Sequence, residues 1–245
     1  MTNQKPVLLM TRPAEETERS LKMLRRTLLA RVRVVKSPLL RIQFREIDCE
    51  FSGMRGSIFT SRQGVRAITH VTECRGLPAY CVGRVTTEEA CRDGWRAECL
   101  GTNSRELVTA LVLQKPDAPL IHFCGRHVRG DVAQTLSAAG YETQECVVYE
   151  QFAEQLTSDA RRVLTSERTV IVPLFSARTA RLFVQNAMDQ STLILAAFSE
   201  DVAAELQNMI DSPVYISEEP TAAAMSVLIN SLLASVPESV ESGSL

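Results

Sequence analysis

The sequence predicts an α/β protein with two similar halves, each a parallel sheet with helices on both faces. Short apolar strands alternate with amphipathic helical segments along the chain, which is typical of parallel sheets covered on both sides. A second observation is a repeated signature in which a strand runs into a small residue and often an arginine. Arg12 and Arg126 lie 114 residues apart, and 116 residues separate Arg62 from Arg178, Gly83 from Ser199 and Gly101 from Ser217. This nearly constant offset predicts a doubled chain.

The first predicted strand covers 6–10 and ends at Thr11-Arg12. Pro13 follows and suits the first turn of a helix, and the apolar stripe from Thr17 to Leu28 predicts one continuous helix. Two extended segments, at 32–35 and 39–44, come next.

The rest of the chain repeats the order of strand and helix. Strands are predicted at 57–60, 79–82, 98–100, 120–124, 145–149, 170–175, 193–198 and 214–216. Helices are predicted at 62–72, 86–93, 104–113, 129–139, 157–165, 177–189, 200–210 and 221–234, and Gly140 is expected to end the fourth of these. These strands are too many for one sheet in 245 residues, so we expect two lobes of about five strands each.

Composition and charge argue against two classes of partner, nucleic acids and membranes. The formal net charge of −2 argues against a general nucleic-acid binder, which usually carries a basic excess. The sequence contains no apolar run of the roughly 18 residues that a membrane span needs, so we expect no membrane partner. It also shows no obvious exposed apolar helix, which favours a monomer.

Cysteine usage predicts a reducing, cytoplasmic location. The chain has seven cysteines, an odd number, and none forms a CxxC pair, so neither a zinc knuckle nor a redox motif is indicated. Four of them fall in predicted strands, where a free cysteine behaves as a small hydrophobe: Cys81, Cys99, Cys124 and Cys146. The N-terminal segment lacks the hydrophobic region of a signal peptide.

The common cofactor and nucleophile motifs are absent. The sequence has no P-loop, no GxGxxG turn after the first strand and no Gly-x-Ser-x-Gly elbow. His122 and His127 lie five residues apart without further ligands at workable spacing, so we expect no metal site. The predicted doubly wound architecture therefore lacks its commonest cofactor motifs.

The strand ends carry the remaining chemistry. Arginines follow five predicted strands, with more about one turn further on: Arg12, Arg62, Arg84, Arg126, Arg178, Arg66, Arg129 and Arg181. A cation at a helix N-terminus is mildly unfavourable, and an anionic ligand would resolve the conflict because arginine holds carboxylates through paired hydrogen bonds. Ligands of open α/β sheets bind outside the carboxyl ends of the strands, so we expect a polyanion held there between the two lobes.

Several motifs, in order along residues 8 to 233, resemble uroporphyrinogen-III synthases. They are Thr11-Arg12-Pro13, Phe59–Val65, Tyr80–Thr86, Val148-Tyr149-Glu150, Phe175–Arg178 and Glu219-Pro220-Thr221. The resemblance implies two doubly wound, flavodoxin-like lobes of about five strands each, joined by a two-segment β connector. One lobe would combine 1–38 and 152–245, and the other would be an insertion over 42–149, with connectors near 38–42 and 149–152.

The resemblance also implies a reaction and its residues. The substrate would be hydroxymethylbilane, a linear tetrapyrrole with eight carboxylates, which closes with inversion of its last pyrrole ring to give uroporphyrinogen III and water, without a cofactor. Tyr149 matches the family's Val-Tyr motif and would donate a hydrogen bond to the departing hydroxyl. The substrate-binding candidates are Thr11, Arg12, Thr60, Ser61, Arg62, Gly83, Thr86, Gly125, Arg126, Ser176, Ser199 and Thr221.

Two points stay open at this stage. Many relatives carry threonine in the turn that corresponds to Asp201-Val202, and acidic residues there would repel a carboxylate, so Ser199 is the preferred contact from that turn. The alternative function is a two-lobed protein that binds or senses an anion without reacting it, since it would need the same strand-end donors.

Overall fold

The computed structural model describes residues 5–70, 75–126, 130–186, 193–207 and 212–237. The chain divides into two compact units. One, here called the discontinuous unit, combines Met1–Arg41 with Ala153–Leu245, and the other, the inserted unit, is Ile42–Phe152. Some predicted features lie outside the described residues: His127, Arg129 and the helix ends expected at 72, 189 and 210.

Strands and helices alternate along the described chain. The strands are β1 (Val7–Met10), β2 (Arg33–Lys36), β3 (Leu40–Phe44), β4 (Gly56–Phe59), β5 (Pro78–Cys81), β6 (Arg96–Cys99), β7 (Leu120–Gly125), β8 (Thr143–Ala153), β9 (Val170–Leu174), β10 (Leu193–Ala197) and β11 (Val214–Ile216). The helices are α1 (Ala14–Lys22), α2 (Arg26–Leu29), α3 (Arg62–Ala67), α4 (Arg84–Arg92), α5 (Ser104–Gln114), α6 (Val132–Ala138), α7 (Ser158–Leu164), α8 (Ala177–Asn186), α9 (Glu200–Gln207) and α10 (Ala222–Ser235).

The discontinuous unit is a five-stranded parallel sheet in the order β2-β1-β9-β10-β11. Successive side chains of a strand point to opposite faces, so Val7 and Leu9 pack with α7, α8 and α9, while Leu8 and Met10 pack with α1, α2 and α10. Numbered within the unit, the order is 2-1-3-4-5, as in flavodoxin-like sheets.

The inserted unit is a six-stranded sheet in the order β3-β8-β7-β4-β5-β6. Phe59 faces α3 and α4, and Ile58 faces α5 and α6, so helices again cover both faces. β3 lies beside β8 at the edge. The segment from 45 to 55, which contains no helix or strand, packs against the Phe59 face through Ile47, Phe51 and Met54.

The two sheets are circular permutations of one another. Reading both from the same edge gives β11-β10-β9-β1-β2 in one unit and β6-β5-β4-β7-β8 in the other. The repeat in the sequence matches this equivalence, because Arg12 and Arg126 follow β1 and β7, and Arg62 and Arg178 follow β4 and β9. The predicted fold class, two parallel-sheet α/β lobes, is confirmed.

The helix predicted from Thr17 to Leu28 is wrong in one respect, because it is two helices. α1 ends at Lys22 and α2 begins at Arg26. The Arg25 N–H at the start of α2 donates to Asn230 Oδ1 of α10 at 3.0 Å. Because Asn230 is 205 positions from Arg25, the sequence around Arg25 gives no sign of the break between the two helices. Leu24 and Leu28 still enter the core, as the periodicity predicts.

β8 is longer than its predicted five residues. It runs from Thr143 to Ala153 and so includes the stretch near 149–152 that the resemblance implies to be a connector. The first predicted connector, near 38–42, likewise overlaps β3. The Arg45 N–H donates to Val148 O at 3.0 Å, so β8 is held on both sides.

The expectation of free cysteines in the strands is wrong at Cys146, which forms a disulfide with Cys49. Cys49 lies in the segment from 45 to 55, and the bond fastens that segment to β8 across 97 residues of chain. Cys99 also differs from the expected buried hydrophobe, since it is exposed on the edge strand β6. Cys81 and Cys124 are buried thiols as predicted.

The described helices include none that is both long and apolar enough to cross a membrane.

Alkylation should sort the thiols by their environment. Burial raises the pKa of the Cys81 and Cys124 thiols to about 12, and the thiolate is the reactive form. In folded, unreduced protein we expect iodoacetamide to modify the exposed Cys91 and Cys99 far faster than the two buried thiols, as read by peptide mass spectrometry. Cys49 and Cys146 should react only after reduction, and their modification in unreduced native protein would contradict the disulfide.

Gly64 is required by close packing of α3 on β7. A Cβ at this position would lie 2.6 Å from the backbone oxygen of Phe123. Gly64→Ala is therefore expected to lower the free energy of unfolding by about 1–3 kcal/mol, because the helix must shift. The matched control is Gly76→Ala, where a Cβ meets nothing within 4 Å, and equal urea midpoints for the two variants would refute this account.

Candidate functional site

The topology of the inserted unit places one position of its sheet at a switch point. From β4 the chain proceeds through β5 and β6 toward one edge, and then β7 and β8 continue from β4 toward the other. Ligands of open α/β sheets bind outside the carboxyl ends of the strands at such a point. The residues there are Thr60 and Ser61 after β4 and Gly125 at the end of β7.

Ser61 begins α3 and also contacts Tyr149. It is the N-cap of α3, and its Oγ accepts a hydrogen bond from the Gly64 N–H at 3.3 Å. The same Oγ lies 2.9 Å from Tyr149 Oη. Capping of α3 fixes the position of Ser61. Ser61 in turn orients the hydroxyl of Tyr149, which lies on β8, two strands away from β4 in the sheet.

Gly125 makes room for the Tyr149 ring. A Cβ on Gly125 would meet ring carbons of Tyr149 at 2.6 Å, so only glycine permits this close approach. The pairing of β7 with β8 shifts register between Cys124 and Gly125, and the Arg126 N–H donates to Tyr149 O at 3.0 Å. The bulge and the missing side chain together hold Tyr149 against the end of β7.

Tyr149 stays protonated over the whole physiological range. Its side chain is mostly buried, with the residue 8% exposed. Burial raises the phenol pKa above its ordinary value, and the hydrogen bond with Ser61 opposes this rise. A neutral phenol can donate one hydrogen bond and accept others, so the group is suited to stabilise a leaving oxygen by donation.

Thr60 joins this site to a buried histidine. Thr60 Oγ1 lies 3.1 Å from His122 Nε2. His122 is fully buried in β7, and desolvation lowers its pKa to about 4. The imidazole is therefore neutral at pH 7 and belongs to the interior, in agreement with its predicted position in a strand.

The equivalent point of the discontinuous unit lies between β1 and β9 and brings Arg12 against Phe175. The Arg12 Cζ stands 4.0 Å from the centroid of the Phe175 ring, and Arg12 Nη1 donates to Ser20 Oγ at 3.0 Å. Burial lowers the Arg12 pKa, partly offset by Glu16. Thr11 is fully buried, and its Oγ1 has no hydrogen-bond partner among the described residues.

The other predicted binding residues begin or cap helices that follow strands. Ser176 Oγ accepts from the Thr179 N–H at 3.1 Å, and Thr221 Oγ1 accepts from the Ala224 N–H at 3.1 Å, so both stabilise the first turn of a helix. Ser199 accepts the Val202 and Ala203 N–H groups through its carbonyl. Arg62 begins α3, Gly83 with φ of +75° precedes α4, and Thr86 is buried in α4.

Several of the strand-end arginines already form ion pairs within the chain. Four have carboxylate partners within the chain: Arg66 with Glu89, Arg84 with Glu88, Arg126 with Glu150, and Arg181 with Glu205. Glu150 also accepts from Arg45 at 2.8 Å. Because Glu150 is shared by Arg45 and Arg126, one carboxylate faces two guanidinium groups and a net positive charge remains at this edge.

The sequence named the residues of this candidate site as predictions but gave no sign of two hydrogen bonds between them. The bonds Ser61–Tyr149 and Thr60–His122 join residues 88 and 62 positions apart, and no local spacing encodes them. The available signal was that Thr60 and Ser61 end or follow one predicted strand and that Tyr149 ends the strand predicted at 145–149.

The fold and site define an α/β protein in which one doubly wound unit is inserted into another, with hydroxyl and amide donors at the carboxyl ends of both sheets. The family model described as uroporphyrinogen-III synthase HemD matches residues 29–226. The chain thus belongs to the uroporphyrinogen-III synthase family, and the predicted family and enzyme class are confirmed.

Solved structures share the fold at low sequence identity. Uroporphyrinogen-III synthetase from Helicobacter pylori 26695 is 15% identical, with 94% of this chain and 99% of that chain covered and a TM-score of 0.68. A mutant uroporphyrinogen III synthase from the extremely thermophilic bacterium Thermus thermophilus is 12% identical, with 94% and 100% covered and a TM-score of 0.56. No curated protein sequence matches the chain significantly.

The raised pKa of Tyr149 gives a pH signature. Between the ordinary pKa of a tyrosine, about 10, and the higher pKa in the folded state, the unfolded chain loses the phenol proton and the folded chain keeps it. The difference in unfolding free energy between wild type and Tyr149→Phe should therefore be constant below pH 10 and should move against the wild type as the pH rises further. Urea midpoints at several pH values measure it, and a difference independent of pH would contradict the buried, protonated phenol.

Proposed function

We propose that the protein is a uroporphyrinogen-III synthase that closes hydroxymethylbilane to uroporphyrinogen III with inversion of the last pyrrole ring. The proposal is supported by membership of the family and carried by one observation, the Tyr149 hydroxyl oriented by Ser61 at the switch point of the inserted unit. The sum of the reaction is the loss of one water.

The first step breaks the bond between the hydroxymethyl carbon and its oxygen. The lone pair of the pyrrole nitrogen expels the hydroxyl group while the Tyr149 O–H donates a hydrogen bond to the departing oxygen. The pyrrole N–H proton is lost in the same step and replaces any proton that Tyr149 gives to the oxygen, so the products are a neutral azafulvene and water. Because burial raises the Tyr149 pKa, the phenol stabilises the leaving oxygen by hydrogen bonding and keeps its own proton until the oxygen is basic enough to accept it.

In the second step the azafulvene carbon bonds to the already substituted α-carbon of the last ring and forms a spiro intermediate. The bond from that α-carbon to its bridging carbon then breaks and re-forms at the other α-carbon, whose proton is lost and balances the proton taken up by the azafulvene nitrogen. This sequence requires control of the shape of the chain. Unguided closure gives the uninverted isomer, so the enzyme must hold one bent conformer and keep water from the azafulvene. We propose that the strand-end hydroxyls and amides bind the eight carboxylates. In the inserted unit these are Thr60, Ser61, Arg62, Gly83, Thr86, Gly125 and Arg126, and in the discontinuous unit Thr11, Arg12, Ser176, Ser199 and Thr221.

One of these proposed contacts, Arg126, also has partners within the chain. The Arg126 side chain pairs with Glu150, and its backbone N–H donates to Tyr149 O, so this residue helps to position Tyr149 as well as to attract a carboxylate. The alternative of a non-catalytic anion-binding protein has no support from the comparisons, since the family and the matching structures are named as synthases.

Location and oligomeric state belong to the same proposal. We propose a cytoplasmic monomer, supported by the free thiols of Cys81, Cys91, Cys99 and Cys124. The Cys49–Cys146 disulfide argues against a cytoplasmic location, because structural disulfides are rare in reducing compartments. Light scattering of the purified protein tests the monomer.

Tyr149→Phe should reduce turnover with little change in fold. Removal of a positioned hydrogen-bond donor is expected to lower kcat by about a hundredfold and to increase the share of the uninverted isomer. Preformed hydroxymethylbilane is added, and chromatography separates the product isomers.

The matched control is Tyr141→Phe, which removes a phenol near the opposite end of β8, where Tyr141 Oη donates to Val112 O at 3.4 Å. It should keep full activity. Equal kcat and isomer ratios for Tyr149→Phe and wild type, with superimposable circular dichroism spectra, would exclude the donor role.

A further inference from the structure

We propose that His122, Cys124 and Glu145 form a site for a borderline-soft divalent cation such as Zn²⁺ beneath the switch point of the inserted unit. The ligand atoms of these three side chains lie within 4.8 Å of one another. The site is distinct from Tyr149 and from the predicted substrate-binding residues, and nothing in the proposed reaction uses it.

Strand pairing explains why the three side chains meet. His122 and Cys124 are two residues apart on β7 and so point to the same face of the sheet. Glu145 of β8 is the direct register partner of His122. Sequence spacing gave no sign of this site because the third ligand comes from a neighbouring strand.

The donor set suits zinc. An imidazole nitrogen, a thiolate and a carboxylate are its usual protein ligands. Zinc–ligand distances of about 2.0–2.3 Å put ligand atoms roughly 3.5 Å apart in a tetrahedron, so atoms that lie within 4.8 Å of one another need to approach by at most about 1.3 Å. Glu145 is exposed, and rotation of its carboxylate supplies both this movement and an entry path for the ion.

Binding has a defined proton balance. The zinc–sulfur bond forms as Cys124 releases its thiol proton to solvent, while the imidazole enters as a neutral ligand and the carboxylate as an anion. Water takes the fourth position. No oxidation or reduction is involved.

A second observation points to an unfilled ligand position. His122 is fully buried, yet its Nδ1 has no hydrogen-bond partner among the described residues, while Nε2 is bonded to Thr60. A buried polar atom without a partner is costly, and such an atom calls for an unobserved ion or water. A metal ion at Nδ1 would satisfy it without breaking the bond to Thr60.

The site is coupled to the candidate active site through one short path. His122 holds Thr60, and the adjacent Ser61 holds Tyr149. An ion on Nδ1 fixes the ring proton on Nε2, so the imidazole can only donate to Thr60 Oγ1, and this restricts the orientation of the Thr60 hydroxyl beside Ser61. Zinc is therefore expected to change the kcat of the synthase, lowering it severalfold. This second part rests on the proposed function, whereas the binding itself does not.

The test is titration of the full-length, unreduced protein with ZnCl₂ by calorimetry, and with Co²⁺ by absorption spectroscopy. We expect saturable binding of one ion per chain and a thiolate-to-cobalt charge-transfer band. Cys124→Ala should lose the band, and Glu145→Gln, an exposed change that leaves the core intact, should bind at least about tenfold more weakly. Cys81→Ala removes an equally buried thiol outside the cluster and should bind like the wild type.

The outcomes are separable. Lack of saturable zinc binding, or a cobalt band that persists in Cys124→Ala, would overturn the site. Zinc inhibition of equal size in wild type and Glu145→Gln would overturn the coupling to catalysis. If metal-free wild type shows no synthase activity, the proposed function fails, while calorimetry and the cobalt spectrum still decide the metal site.

Discussion

The Tyr149 ring lies on the backbone of Gly125, and its hydroxyl is bonded to Ser61 at 2.9 Å. Three elements are joined by this one arrangement: β8 supplies the ring, β7 the bare backbone on which it rests, and α3 the capping serine that aims the hydroxyl. Burial keeps the phenol protonated. The chemistry of the site depends on this packing, because a donor that is held in place before substrate arrives needs no reorganisation during the reaction.

The permuted sheets explain how one chain builds two such edges. A chain that leaves the discontinuous unit after β2, completes the inserted unit and returns at β9 gives both sheets the same spatial order of equivalent strands. Each unit therefore has its own switch point with hydroxyl donors beside it. The equivalents differ in detail, since one holds a tyrosine against glycine and the other an arginine against Phe175. The first presents a buried phenol, a neutral hydrogen-bond donor suited to a leaving group.

Local periodicity was sufficient for most of the fold. The strand at Val214–Ile216 was predicted with its observed bounds, and buried strands such as Val7–Met10 are recognisable because both of their faces meet helices. The break between α1 and α2 was not predictable, since its cap comes from Asn230. The disulfide of Cys49 with Cys146 was missed for the same reason, as the segment that carries Cys49 has no periodic pattern to locate it.

The sequence could name candidate site residues but not the contacts between them. Hydroxyls and glycines after strands mark the carboxyl edge of a sheet, so Ser61, Gly125 and Tyr149 were identified from the pattern and the resemblance. Their contacts, and the pairing of Arg126 with Glu150, depend on strand order and side-chain rotamers. The pairing of Arg126 with Glu150 therefore forms only when β7 and β8 lie side by side.

Replacement of Tyr149 by a series of fluorotyrosines of graded acidity tests the central claim most directly. If the phenol donates a hydrogen bond to the departing oxygen, the logarithm of kcat should rise steadily as the phenol pKa falls, for as long as the group remains protonated at the assay pH. A kcat that is the same across the series, with each variant folded and binding substrate, would contradict the account.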